Sequence, residues 1–161
     1  MDDLMEPLMR YDWGGERASL YAIDGAVREA HGDPERLLAI ERALIGVLQS
    51  DAPVPAKEYV CRQLALIGSA ASVPVLAGML ADAALLDRAL YALQAIPDGA
   101  AGSALREALP AATGAARIGI VNALGERRDP GCKPALEAVA DDGDLVLRAA
   151  IQSARRKIGA V

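Results

Sequence analysis

Few side chains here can do chemistry, and their spacing keeps them apart. The single histidine, His31, precedes Gly32-Asp33-Pro34 at what reads as a helix end. There the helix dipole favours a cap, whereas a general base would need a nucleophile or carboxylate held nearby. Cys61 and Cys132 stand alone. They are too few for a disulfide scaffold and lack neighbouring ligands for zinc. Arg62 beside Cys61 could activate the thiol, but the expected role is that of a small buried core residue. Asp141-Asp142-Gly143-Asp144 lacks the alternating ligands and closing Glu of a calcium loop, and reads as a turn with a helix cap. Gly99 and Gly102 lie among alanines with no Lys-Ser or Lys-Thr after them, so no phosphate cradle is written there. Asp2-Asp3 would need a cleft to raise one carboxyl pKa before it could serve as an acid–base pair. The expectation is no catalytic residue, no cofactor and no metal.

What does recur is arginine. Arg62, Arg88, Arg117 and Arg148 each fall in an apolar, helix-like stretch, and four such stretches end alike: Leu66-Ile67-Gly68, Ala95-Ile96-Pro97, Ala123-Leu124-Gly125 and Lys157-Ile158-Gly159. The final Gly or Pro recurs after 29, 28 and 34 residues. Gly tolerates a left-handed cap and Pro cannot continue a helix, so each is read as a stop. Helix pairs fit between the stops, at 34–50 with 55–68, 72–81 with 84–96, 100–112 with 115–125, and 131–141 with 144–158. Two further helices, at 3–11 and 16–30, precede them. Short connections make the paired helices antiparallel. A single domain over 1–161 is expected, with 1–33 as an N-terminal helical cap and 34–161 as the stacked pairs. Apolar residues make up 53% of the chain, aromatics only 3%, and Phe is absent. The core must then be Leu, Ala, Ile and Val, which suits close-packed helices and leaves no strand pattern.

Two arginines follow an aspartate at a gap of six, Asp82 to Arg88 and Asp142 to Arg148. Together with Tyr59-Val60-Cys61-Arg62-Gln63-Leu64, Ser72-Val73-Pro74-Val75-Leu76, Ala89-Leu90-Tyr91-Ala92-Leu93 and Leu124-Gly125-Glu126-Arg127-Arg128-Asp129, this pattern resembles the HEAT repeat. More narrowly, it resembles the HEAT-repeat region of large bacterial multidomain proteins, over about residues 15–160. The resemblance implies an all-α fold, an α-solenoid (α-α superhelix) of about four helix pairs. It also implies a hydrogen-bonded ladder giving Asp82, Arg88, Asp142 and Arg148 a structural role. Ala56 and Ala111 stand where the ladder aspartates of Arg62 and Arg117 would be, so those two arginines are open for other work.

The net charge of −5 argues against nucleic acid as the main partner, since such domains carry a basic footprint. The leading expectation is a non-catalytic protein–protein interaction scaffold or adaptor. Solenoids bind on the concave side lined by second helices, which singles out Arg62, Gln63, Tyr91, Arg117 and Asn122, with Arg127 and Arg128 on the rim. One alternative is nucleic-acid binding through the second-helix arginines and the basic stretch Arg148, Arg155, Arg156 and Lys157. Another, last in order, is an enzyme handling a small ligand or chromophore, which would need a deep polar pocket. The expected partner is an unidentified protein, with no small-molecule substrate. Trp13 and Tyr11 are expected to staple the cap to the core, with an exposed docking patch as the other reading. No signal peptide and no membrane-length apolar run is evident, so a cytoplasmic location is expected unless the chain is part of an exported parent. Apolar Ile158, Ala160 and Val161 predict that this end continues into a parent chain or packs on a partner.

Overall fold

The structure, a computed structural model, describes residues 2–139 and 143–159. Among the described residues the chain is all-helical, without strands. The helices are α1 (Asp2–Met9), α2 (Ala18–Glu29), α3 (Pro34–Leu48), α4 (Val54–Ile67), α5 (Val73–Gly78), α6 (Leu86–Ala95), α7 (Gly99–Ala108), α8 (Gly114–Arg127), α9 (Lys133–Glu137) and α10 (Leu145–Gly159). Short 3-10 turns at Ala70–Ser72, Met79–Ala81, Leu109–Ala111 and Pro130–Cys132 extend α5, α7 and α9. Each pair opens on a side-chain cap that supplies an orphan amide with an acceptor. Asp33 accepts from the Arg36 amide at 3.1 Å, Ser69 from Ala71 at 3.2 Å, Asp98 from Ala100 at 2.8 Å and Asp129 from Gly131 at 2.9 Å. The predicted turns between paired helices are built the same way: Asp82 accepts from the Ala84 amide at 2.9 Å and Asp144 from Val146 at 2.8 Å.

The second helices form a row, α4 on α6, α6 on α8 and α8 on α10, while α3 packs on α4, α5 on α7, and α1 on α2 and α3. One continuous aliphatic core runs from Met5 to Ile158. Two glycines read as helix stops have a different task. Gly68 is extended (φ −65°, ψ 146°), and a Cβ there would lie 2.4 Å from the Leu64 carbonyl oxygen and 3.0 Å from Ile96. Gly125 lies inside α8, where a Cβ would meet the Ala154 backbone Cα at 2.7 Å. Neither is required by left-handed backbone: Gly68 is held by close approach to its own helix's last turn and to Ile96, and Gly125 by close approach of α10. The left-handed cap of α8 is Arg128 (φ 52°). No helix among the described residues is long and apolar enough to cross a membrane. Asp141, Asp142, Ala160 and Val161 lie outside the described residues.

Candidate functional site

Polar side chains link α4 to α2. Tyr59 and Gln63 stand four apart on α4 and so share a face. The single hydroxyl proton of Tyr59 is shared between the Leu20 carbonyl and Asp24 Oδ1, both 2.8 Å from the hydroxyl oxygen, and Gln63 Nε2 donates to the same Oδ1 at 2.7 Å. Burial, and then the Asp24 carboxylate, raise the Tyr59 hydroxyl far above the usual phenol range. Beside this anchor the Arg62 guanidinium lies over the Tyr59 ring, 5.0 Å from its centroid, a cation–π geometry.

These groups form one wall of a cleft of about 220 Å³ that also holds Tyr11, Trp13, Arg17, Tyr21, Glu58 and Arg88. Four of the chain's five aromatic residues and three arginines converge there. Its volume is of the size that one or two side chains of a polypeptide fill. The expected stapling by Trp13 is corrected. Tyr11 takes the inward position and is buried, while Trp13, whose amide donates to Asp12 Oδ1 at 2.8 Å in a tight turn, is 72% exposed. Of the six large hydrophobics more than half exposed among the described residues, Trp13, Tyr21 (65%), Leu66 (70%) and Tyr91 (51%) belong to this region; Leu145 and Val146 open α10. Leu66 and Tyr91 lie one helical turn beyond Arg62 and Arg88, and so extend the same face.

The other residues singled out by the sequence are scattered. Gln63 is 3% exposed and bonded to Asp24, so it is a core anchor and not a contact for a partner. Arg127 is likewise internal: Nη1 donates to the carbonyls of Leu93 (2.7 Å) and Ile96 (2.5 Å), and Nη2 to that of Asp98 (2.8 Å). It closes the open carbonyl end of α6. Burial lowers its pKa from the ordinary guanidinium value, and its Nε is buried without a partner. Asn122 and Arg128 are exposed, Arg117 is half-buried on α8 and Arg148 is exposed on α10. The Asp82–Arg88 rung of the ladder does not form. Asp82 is engaged by the Ala84 amide, and Arg88 Nε reaches back one pair to Glu58 at 3.5 Å. Asp142, the partner expected for Arg148, lies outside the described residues.

Three features were not read from the sequence. Buried Glu41 on α3 accepts from the Ser69 amide (2.7 Å), the Ser69 hydroxyl (2.9 Å) and the Ser72 hydroxyl (2.5 Å), tying the first pair to the second. Arg106 Nη1 touches Asp129 Oδ2 at 3.2 Å and Cys132 Sγ at 3.5 Å. That cluster places a thiol, a carboxylate and a cation together, but the thiol is buried and burial raises its pKa, which holds it protonated. Cys61 is buried as expected, and its thiol is pushed up to about 12, chiefly by burial. Thirdly, a hollow between the second and third pairs is lined by alanines, Leu80, Leu86, Thr113 and Ile120 and holds no titratable group. Among the described residues no cluster of three or more His, Cys, Asp or Glu could hold a metal.

Compared with protein-family models, curated proteins and solved structures, the chain matches none.

Proposed function

We propose that this chain is a polypeptide-binding module: an α-solenoid of HEAT-like pairs with an N-terminal helical cap, gripping a segment of a partner protein on its second-helix face. The carrying observation is the cleft, where Trp13, Tyr21, Arg62 and Arg88 gather in a chain that has only five aromatic residues. Trp, Tyr and Arg are the residue types that dominate binding energy at protein interfaces. Exposed Leu66 and Tyr91 continue that surface along α4 and α6. The row of second helices and the recurring caps Asp33, Ser69, Asp98 and Asp129 support the solenoid reading. Against nucleic acid stand the engagements of the basic groups: Arg88 with Glu58, Lys157 with Glu126, and Arg127 and Arg155 with backbone carbonyls. The test is selection of a random peptide library on the immobilised chain. Enrichment of a peptide family whose binding is lost in Trp13→Ala and Arg62→Ala, with both variants folded by circular dichroism, supports the reading. No enrichment, or binding indifferent to both substitutions, refutes it.

A further inference from the structure

Resting on that reading, we infer that the cleft takes an acidic segment of polypeptide, with a carboxylate seated between Arg17 and Arg62 and a neighbouring apolar side chain against Trp13 and Tyr21. Charge complementarity within the cleft selects this occupant. Three guanidiniums face two carboxylates there. Asp24 is engaged by Tyr59 and Gln63, and Glu58 by Arg88. Arg17 and Arg62 form no ion pair with any carboxylate among the described residues. Stacking on Tyr59 covers one face of the Arg62 guanidinium and leaves its N–H edge, the part that meets a carboxylate in a two-pronged hydrogen bond. A locally cationic cleft on a chain of net charge −5 is a specific attraction for an acid against a generally repulsive body. It selects acids presented beside an apolar group over diffuse polyanions.

The test uses the same library selection, read by composition, with a Trp-free acidic peptide from the enriched family as probe. The expected result is enrichment of Asp or Glu next to a Leu-like or aromatic position. Affinity should fall about tenfold or more in Arg17→Gln and Arg62→Gln, as for loss of a charged hydrogen bond. It should also fall when the probe's Glu is changed to Gln. Arg42→Gln, at an exposed arginine of α3 that does not line the cleft, should leave affinity unchanged. An enriched family that lacks an acidic position, but is still lost in Trp13→Ala, overturns this inference and leaves the binding reading intact. No enrichment overturns both. Displacement of the acidic probe by an equal concentration of short oligothymidylate overturns the inference too, because the cleft would then be reading polyanion charge.

Discussion

Removing the Arg127 side chain tests whether this residue holds the second and third pairs together or meets a partner. Its guanidinium supplies two hydrogen bonds in part-buried surroundings, to Leu93 and Ile96, and further ones at the surface, to Gln94 and Asp98. The acceptors lie at the end of α6, where carbonyls have no partner within the helix. The surface carbonyls can turn to water, so only the part-buried pair counts, at about 1.5–3 kcal/mol for each charged hydrogen bond. Against this, Arg127→Ala relieves the burial of a cation whose Nε has no partner. The net expected loss is about 2–4 kcal/mol, or roughly 5–15 °C in Tm for a chain of this size. Urea unfolding and calorimetry would measure it, with Arg127→Lys recovering less than half because an ammonium cannot bridge the spread carbonyls. Exposed Arg128, already in left-handed backbone at φ 52°, serves as the control. Arg128→Gly should be neutral or slightly stabilising, since glycine adopts that conformation freely. A loss below about 1 kcal/mol in Arg127→Ala, with partner binding abolished, would refute the clamp and restore Arg127 to the interface.

Gly125→Ala should cost about 1–3 kcal/mol from overpacking, despite the roughly 1 kcal/mol that alanine returns to a helix, because the new Cβ meets backbone at Ala154 and not a movable side chain; thermal melts check it. Glu41→Gln should cost about 1 kcal/mol in urea, since the amide oxygen can keep the Ser69 amide and Ser72 hydroxyl bonds made to Oε1 but without the charge that strengthens them. Cys61 should stay silent to thiol reagents in the folded chain at mildly alkaline pH and react once the chain is unfolded. Its folded pKa is raised from 9.0 to about 12, so its contribution to stability is fully present below pH 9 and is lost as pH rises toward 12. A Cys61→Ala chain should therefore show a shallower alkaline loss of stability than wild type.

The helices were legible because their punctuation is local. Asp33-Pro34 opens α3, and the Gly and Pro of each ending fall within a few residues of a helix end. Apolar spacing does the rest between those marks. What the sequence concealed are contacts made some thirty residues away. Glu41 meets Ser69 and Arg127 meets Leu93 only because neighbouring helix pairs pack on one another, which spacing within a pair does not specify. The Asp82–Arg88 rung fails for a local reason: an aspartate in a tight turn finds its nearest amide, Ala84, before it finds an arginine six residues on. Arg62 and Tyr91 were legible as surface residues. Trp13 was not, because a turn residue carries no periodicity to tell inward from outward. The pair Tyr59 and Gln63, polar positions four apart among Val60, Cys61 and Leu64, was the available signal that another polar group lay opposite, and Asp24 is that group.

The central claim is that the cleft beside Trp13 is where a partner segment binds, and the chain carries its own reporter there, since Trp13 is the only tryptophan. Titration of a Trp-free, library-selected peptide, followed through Trp13 emission in wild type beside Arg62→Ala and Leu145→Asp, tests this directly. Binding in the cleft gives a saturable change in emission with one peptide per chain, strongly weakened in Arg62→Ala and unaltered in Leu145→Asp. Binding that leaves Trp13 emission unchanged, ignores Arg62→Ala and disappears in Leu145→Asp would place the partner at the start of α10 and contradict it.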